Sequence, residues 1–558
     1  MRVLFLFFTD PPRPFSPSVA ALAAVVRASG HEASALEVSL RSKIDEVAAR
    51  IESLSPDVLA VSAMSRDWPG AQTLLSRVVP RIAAYVVVGG YHASMAPHDV
   101  ARCASVDAIA IGEGERPLRA LLDQLPSGRP TRSIPGLWVR GPDGFTGPPP
   151  SADPEPDIAA LLPWDYDVFG DLRASLARGI NTFGPHVDRF LPTRASRGCP
   201  FTCSYCSAPR WGKLHAFETR RNVIPVAQLC DELSRLRDRY APDGFEFWDE
   251  HFPIDLEWLD ALAKEYPRRV ALPFKVEMHP SAASRRRLEL LKEAGCVLFH
   301  CGVEAGDEEL RREVLHRRTR DVVLQRVFDD ARAVGLGTSA SLMTVLPGET
   351  RAQAHSTVAL LRKLRPGSFM WSTYHALPGT VLGEASTDRW PDPARERFDD
   401  WDLPAPRVPS AMNERERNDT FRELAELQSD LVRAASREAD APTRARPVEI
   451  PHAPRRASTA LAALLGLAPP GATTQGMRLE TVREERGTLV LELDDAAARL
   501  PRQRIVLGPR DGSPYYRASQ HVAISYRGRE APPHLLRAID EIAVRLGTTT
   551  LDDLRRAL

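Results

Sequence analysis

The chain of 558 residues reads as an α/β protein in which two sets of parallel strands follow one another, with a smaller α+β unit behind them. Three observations lead there. Strand-length apolar runs alternate with amphipathic helical stretches over residues 1–150, and the alternation returns in six units over residues 191–385. A stretch rich in Pro and Gly separates the two sets. The strands are apolar at nearly every position, which fits parallel sheets covered on both faces rather than sheets with one wet face.

In the first region, Val3–Phe8, Ala33–Val38, Val58–Met64, Tyr85–Val88 and Ala108–Ile111 read as strands. Helices fall at Ser18–Ser29, Ile44–Leu54, Ala71–Ala83 and Pro117–Leu125. This predicts a Rossmann-like doubly wound domain, whose ligands sit at the carboxyl ends of the strands. The turns there are polar or glycine-rich: Ser62-Ala63-Met64-Ser65-Arg66, Gly89-Gly90-Tyr91-His92 and Gly112-Glu113-Gly114-Glu115. Glycine lets backbone approach a bulky ligand without a Cβ in the way. Three such turns at consecutive strand ends predict a site.

Residues 151–190 are a linker. Gly141-Pro142-Asp143-Gly144 and Gly147-Pro148-Pro149-Pro150 mark turns and a stiff connection, and Leu161–Tyr166 is a docking segment with a buried Trp164.

Residues 191–385 carry strands at Leu191–Arg197, Phe245–Glu250, Phe274–Met278, Leu298–Glu304, Ser339–Leu346 and Phe369–His375, with a helix at Val226–Arg239. Parallel strands with right-handed helical crossovers close into a partial (β/α)6 barrel whose site lies at the strands' carboxyl ends. Asp249, Glu277 and Glu304 stand at such ends.

The last part, 386–558, is the least informative. Glu414–Arg433 reads as a helix, Ala441–Arg456 as a Pro/Arg-rich linker, Thr488–Leu493 and Gln520–Tyr526 as strands and Pro533–Leu546 as a helix. A capping-box start at Thr550 with Asp553 follows. A small α+β or winged-helix-like accessory domain is expected, with no motif to assign its role.

Composition excludes several classes. The chain is 43% hydrophobic and 26% charged, and 73 basic residues balance 73 acidic ones, so there is no net field to draw nucleic acid or an anionic membrane. The opening Val3–Phe8 run stops at Asp10-Pro11-Pro12, too short for a signal segment or a span. Seven cysteines in this pattern point to a reducing cytoplasm.

The chemistry concentrates in Arg197-Gly198-Cys199-Pro200-Phe201-Thr202-Cys203-Ser204-Tyr205-Cys206, after the first barrel strand. Three thiols cannot pair off, and the spacing is too tight for a disulfide framework. Zinc usually takes four ligands, and the nearest histidine, His215, is distant. A [4Fe–4S] cluster held by Cys199, Cys203 and Cys206 leaves one iron free for a small molecule.

The C-x3-C-x2-C loop with Tyr205 before its last cysteine resembles the radical S-adenosylmethionine (SAM) enzymes, in which the open iron chelates SAM. Cys301–Gly306 with Val314–Thr319, Leu346–Thr350 and Leu377–Thr380 resemble further segments of that family. Val87–Ala93 followed by Asp107–Glu115 is similar to the cobalamin-binding domain fused to many of its members. The D-x-H-x-x-G signature of the wider B12-binding fold is absent, as it commonly is in this branch; neither His31 nor His92 has its context. The resemblance implies three cofactors: a [4Fe–4S] cluster, SAM and cobalamin. It implies that Glu304 meets the amino or ribose end of SAM, that Tyr205 and Asp249 help to bind it, and that Glu277 reaches SAM, cluster or substrate. It further implies that Ser62, Met64, Ser65, Arg66, Gly89, Gly90, Tyr91, His92, Gly112, Glu113, Gly114 and Glu115 line the cobalamin site, with Arg66 or Met64 beneath the cobalt.

The activity implied is a cobalamin-dependent radical SAM methyltransferase, moving a methyl group from SAM via methylcobalamin to a carbon of a small-molecule or peptide natural-product precursor. Its implied partner is a one-electron donor such as flavodoxin or ferredoxin. The alternatives are a cobalamin-linked oxidoreductase or cyclase that does not methylate, and a non-catalytic Fe–S and cobalamin sensor.

Overall fold

The computed structural model describes residues 1–9, 15–39, 43–128, 134–146, 158–172, 176, 189–215, 223–385 and 410–439, and the strand residues 455–456, 477–485, 488–495, 503–509, 517–518 and 522–526. The chain divides into two compact units: residues 1–177 with 189–424, and residues 178–188 with 425–558.

The first unit holds both α/β sheets. In the first sheet, β1 (Arg2–Thr9), β2 (Glu32–Ser39), β3 (Val58–Ser62), β4 (Tyr85–Gly89) and β5 (Ala108–Ala110) lie parallel in the order β2-β1-β3-β4-β5. Alternate residues feed separate cores on the two faces. Leu4 and Leu6 join Leu59, Val61, Val86 and Val88 under the helices Ile44–Leu54 and Trp68–Val78. Val3, Phe5 and Phe7 join Val58, Ala60 and Val87 under Pro17–Ala28 and Glu115–Gln124. Each fully buried side chain of this size contributes on the order of 1.5–3 kcal/mol. This is why the strands carry almost no polar residues. An antiparallel hairpin, β6 (Leu137–Gly141) and β7 (Gly144–Thr146), extends the sheet beyond β5, turning at Pro142-Asp143 where the sequence reading had only a turn before the linker. Two short helices missing from that reading, Tyr91–Met95 and Pro97–Ala101, follow β4.

The second sheet is a curled half-barrel of six parallel strands in chain order: β8 (Phe190–Thr193), β9 (Gly244–Phe247), β10 (Phe274–Glu277), β11 (Cys296–Glu304), β12 (Gly337–Thr344) and β13 (Ser368–Thr373). Sequential order follows from right-handed crossovers, each helix returning the chain to the same end. The helix starts are capped where the sequence supplies acceptors. Asp255 accepts from the amides of Glu257 and Trp258, both at 3.1 Å, and Thr350 with Gln353 forms a capping box. Glu349, fully buried, accepts from the Leu346 amide at 3.1 Å and the Thr344 hydroxyl at 3.3 Å. The Leu346–Thr350 turn is thus closed by its own residues. Among the described residues, no helix is long and apolar enough to cross a membrane.

The described part of the second unit is an antiparallel sheet in the order β14 (Arg455–Arg456), β15 (Met477–Glu485), β16 (Thr488–Asp495), β17 (Gln503–Pro509), β19 (Val522–Tyr526), β18 (Arg517–Ala518). Only β16 and β19 were expected from the sequence. The helix expected at 414–433 runs Glu414–Ala439, its residues to Leu424 belonging to the first unit and the rest to the second. The helix expected at 533–546 and the capping box at Thr550 lie outside the described residues.

Candidate functional site

The cysteine loop leaves the carboxyl end of β8 and is held there by its neighbours' backbone demands. Asp249, after β9, accepts from the Ala195 amide at 3.1 Å and from the Ser196 hydroxyl. It is 3% exposed, and burial, only partly offset by these bonds, pushes its carboxyl up to about 7. Glu250 accepts from the Gly198 amide at 3.1 Å. Ser204 donates its amide to Leu315 O at 3.0 Å and its hydroxyl to Val314 O at 2.5 Å. Phe201 stacks on His279 at 3.8 Å and lies 5.2 Å from His251. Burial first, then Arg317, drives His279 down to about 2; burial with opposing backbone bonds leaves His251 at about 4, so both rings are neutral.

Cys199, Cys203 and Cys206 are free thiols within this one loop. Burial, and then charge repulsion among the three sulfurs, pushes Cys199 up to about 12 and Cys206 to about 11. At Cys199 and Cys206 the protein alone therefore disfavours the thiolate, and a bound cation that displaces the protons is what would balance it. Among the described residues, no group of three or more His, Cys, Asp or Glu converges on one point as ligands of a single ion. A cluster asks instead for one thiolate per iron, which three separated cysteines supply. The donor set fits.

Beside the loop, Arg317 is 6% exposed and its guanidinium reaches four groups: Cys203 Sγ at 3.6 Å, Tyr205 Oη at 3.3 Å, Gly302 O at 2.6 Å and Glu304 Oε1 at 3.9 Å. Glu304 ends β11 in the left-handed region, with φ 68°. Its carboxylate folds back over Gly302, where a Cβ would sit 1.9 Å from Oε1, so any larger residue there would push the carboxylate aside. Burial raises Glu304, against Arg317 and a hydrogen bond with Tyr205. Glu277, at the end of β10, is pushed to about 7 by burial and then by Glu304. Tyr205, Glu277 and Glu304 are thus brought together beside Cys203, whereas Asp249 spends its carboxylate on the strand end.

The polar turns of the first sheet meet this mouth. Gly90 (φ 88°) packs so tightly on the β3 turn that a Cβ would lie 3.1 Å from Ser62 Oγ and 3.2 Å from Ala63 N. Ser94 Oγ accepts from the Gly112 amide at 2.9 Å and donates to Gly90 O at 3.0 Å, tying the β4 and β5 ends together. These turns form a closely packed ledge in which Gly89 faces Ala110 and Gly114 faces Leu22, with Met64 53% exposed at the β3 end. A ledge at the carboxyl ends of consecutive parallel strands is where such sheets receive a large ligand such as a corrinoid. His92 is 3% exposed, with its ring nitrogens on Ser65 Oγ at 3.2 Å and Asp99 Oδ2 at 3.1 Å, stacked on Trp68 at 5.4 Å. His31 lies at the opposite, amino end of the sheet, 3.3 Å from the Met1 amino group.

Several contacts cross between the sheets. Tyr91 lies 4.9 Å from Trp211, which follows the cysteine loop, and burial, then Glu250 and Cys206, raise its phenol. Trp211 Nε1 donates to Glu113 Oε1 at 3.0 Å. Arg197 pairs with Glu113 at 3.0 Å and with Glu115. Arg66 stands near enough to His375, after β13, to lower it together with burial. Phe15, after β1, packs on Trp164, Tyr166 and Trp248 at 5.3–5.8 Å. Arg197, Trp211 and Arg317 were not picked out by sequence reasoning. Arg317 lies within the Val314–Thr319 segment that carried the family resemblance, so a signal existed for it; Arg197 and Trp211 had none beyond flanking the cysteines.

Comparison with known proteins agrees with this geometry. The sequence pattern of the radical SAM superfamily matches residues 193–361, and that of the B12-binding domain matches residues 14–122. An uncharacterized methyltransferase of Pyrococcus horikoshii is 25% identical over 347 residues, 61% of this chain and 71% of that protein. The anaerobic magnesium-protoporphyrin IX monomethyl ester cyclase of Rubrivivax gelatinosus is 24% identical over 62% of this chain, which spans 61% of that relative. Among solved structures, the radical SAM methyltransferase TsrM of Kitasatospora setae, with cobalamin and a [4Fe–4S] cluster bound, superposes with a TM-score of 0.55 at 19% identity, covering 68% of this chain and 77% of that one. With both domains matched in order and the cysteine loop at the mouth of the half-barrel, the chain carries a radical SAM domain behind a B12-binding domain.

Proposed function

We propose that the chain is a cobalamin-dependent methyltransferase that moves a methyl group from SAM to a carbon centre of a small molecule or peptide, of the kind used as a natural-product precursor. The observation that carries this is the apposition of two carboxyl-end faces within one compact unit, through Tyr91–Trp211 at 4.9 Å and the Arg197–Glu113 pair. A substrate between them meets both cofactor sites at once. When bound, the cluster with SAM supplies the methyl group and one-electron chemistry, and cobalamin supplies a metal that can carry a methyl.

The chain's own residues do the holding. Cys199, Cys203 and Cys206 ligate the cluster, and Arg317 keeps a positive charge beside Cys203. Glu304 is held against the mouth by its left-handed backbone and by Arg317, where its carboxylate is available to an amine or hydroxyl of SAM. Tyr205 orients it by hydrogen bond. Asp249 acts one step back, fixing Ala195 and Ser196 so that the loop leaves β8 in one direction. The backbone at Gly89, Gly90, Gly112 and Gly114 receives the corrinoid face, flanked by Ser62, Met64, Ser65 and Arg66. The half-buried Phe201–His279 stack covers one side of the loop and limits water there. A flavodoxin or ferredoxin in a reducing cytoplasm would supply electrons.

The similarity to the magnesium-protoporphyrin cyclase supports a second reading, ring formation without methylation. The two separate without knowledge of the substrate. Anaerobic protein loaded with iron, sulfide and hydroxocobalamin is reduced and given SAM labelled in its methyl group. The proposal expects label on the extracted corrinoid together with S-adenosylhomocysteine. 5′-Deoxyadenosine with an unlabelled corrinoid overturns it in favour of the second reading.

A further inference from the structure

The Gly112-Glu113-Gly114-Glu115 turn stands at the carboxyl end of β5, and its two acidic side chains are engaged by the cysteine loop. Both turn to Arg197, two residues before the first cluster cysteine. Arg197 meets Glu113 at 3.0 Å and also bonds Glu115, and all three side chains are at most 13% exposed. The carboxylates respond differently. Burial raises Glu113 against the guanidinium, whereas at Glu115 the guanidinium outweighs burial and holds the carboxyl below its usual range. Two buried carboxylates on one turn repel each other, and one shared cation makes them compatible. Trp211, on the other side of the cysteines, adds its indole N–H to Glu113 at 3.0 Å. The turn therefore grips the cysteine loop on both flanks, before Cys199 and after Cys206. The same turn is tied through the Gly112 amide and Ser94 to Gly90 on the ledge.

We infer that Arg197 is the positioning residue that couples the two cofactor sites: its bridge to Glu113 and Glu115 makes cobalamin binding and cluster loading favour each other. The inference rests on the cofactor assignment proposed above. Ordering the bridge costs conformational entropy once. Whichever group binds first meets that cost, and the second finds the turn and the loop already in place. Thermodynamic reciprocity then requires the same factor in both directions.

The test is a titration of hydroxocobalamin, followed by absorbance and equilibrium dialysis, into cluster-free and cluster-loaded full-length protein under anaerobic conditions. Wild type is expected to bind the corrinoid on the order of 5–10-fold more tightly once loaded with the cluster, the low end of ordinary coupling between sites. In R197Q that ratio falls to about one, and R197K recovers part of it. Weaker binding in both loading states with the ratio preserved would mean that Arg197 only stabilises the fold, and overturns the inference. So does a wild-type ratio of one. If R197Q fails to fold by circular dichroism, the triple variant R197Q/E113Q/E115Q, which removes all three charges together, carries the same readout. Absence of corrinoid binding in either state removes the cofactor assignment and the inference with it; binding of both groups without coupling removes the inference alone.

Discussion

The two parallel sheets present their carboxyl ends to each other but equip them differently. At the first sheet the polar side chains bond among themselves or to the neighbouring loop: His92 to Ser65 and Asp99, Ser94 to Gly90 and Gly112, Glu113 and Glu115 to Arg197. Tyr91 and Arg66 reach toward the half-barrel from the same turns, and Met64 is exposed there. At the half-barrel, Glu277 and Glu304 sit close to Tyr205, Arg317 and Cys203 with their carboxyls raised by burial. On the proposed reading, the turns of the first sheet receive a large ring and the charged groups of the half-barrel hold a small zwitterion by ion pairs, so that one topology serves two kinds of ligand through its strand ends.

Four substitutions sharpen this contrast, and the half-barrel is expected to suffer most. Arg317→Met leaves Glu304 buried without its cation, and breaking a buried pair costs on the order of 3–5 kcal/mol; urea unfolding of the cluster-free protein reads the loss, with Arg317→Lys less affected. Gly302→Ala drives a methyl into the Glu304 carboxylate and is expected to cost about 1–3 kcal/mol. Equilibrium dialysis of SAM should show a far larger defect there than cobalamin binding does.

Asp249→Asn tests the pH dependence. The folded chain holds the Asp249 proton up to about pH 7, against about 3.9 in an unfolded chain, so the folded state binds more protons between these values. The contribution is fully present below about pH 4 and is lost as pH rises through about 7. Wild type should therefore lose more Tm between pH 5 and pH 8 than Asp249→Asn does; equal slopes would contradict the assignment. The smallest effect is expected in the first sheet. His92→Gln loses hydrogen bonds worth about 1 kcal/mol each from a ring that is buried on Ser65 and Asp99. Its Co(II) electron paramagnetic resonance spectrum should match wild type.

Local signals made most of this legible from sequence. Uninterrupted apolar runs defined the parallel strands, and the tight cysteine spacing defined the loop. The β6–β7 hairpin carried a signal as well, since the Pro142-Asp143-Gly144 turn lies between Trp138-Val139 and Phe145. Other features rest on pairings that no local pattern encodes. Arg197 finds Glu115 at a separation of 82 residues, and Arg317 finds Cys203 across 114. Asp249 looked available to SAM because its acceptors' consumption by Ala195 and Ser196 depends on how β8 and β9 align. In the second unit, β15 escaped because its alternation breaks at Glu480, where the register shifts, and β17 because its apolar run, Ile505-Val506-Leu507, is only three residues long.

The central claim is that one chain holds a cluster in the cysteine loop and a corrinoid on the glycine ledge. Iron and cobalt counting on anaerobically reconstituted protein tests it most directly. Wild type should carry four irons and one cobalt per chain, and Cys203→Ala should lose the iron while retaining corrinoid. Iron retained in Cys203→Ala, or wild type with full iron and no cobalt, would contradict it.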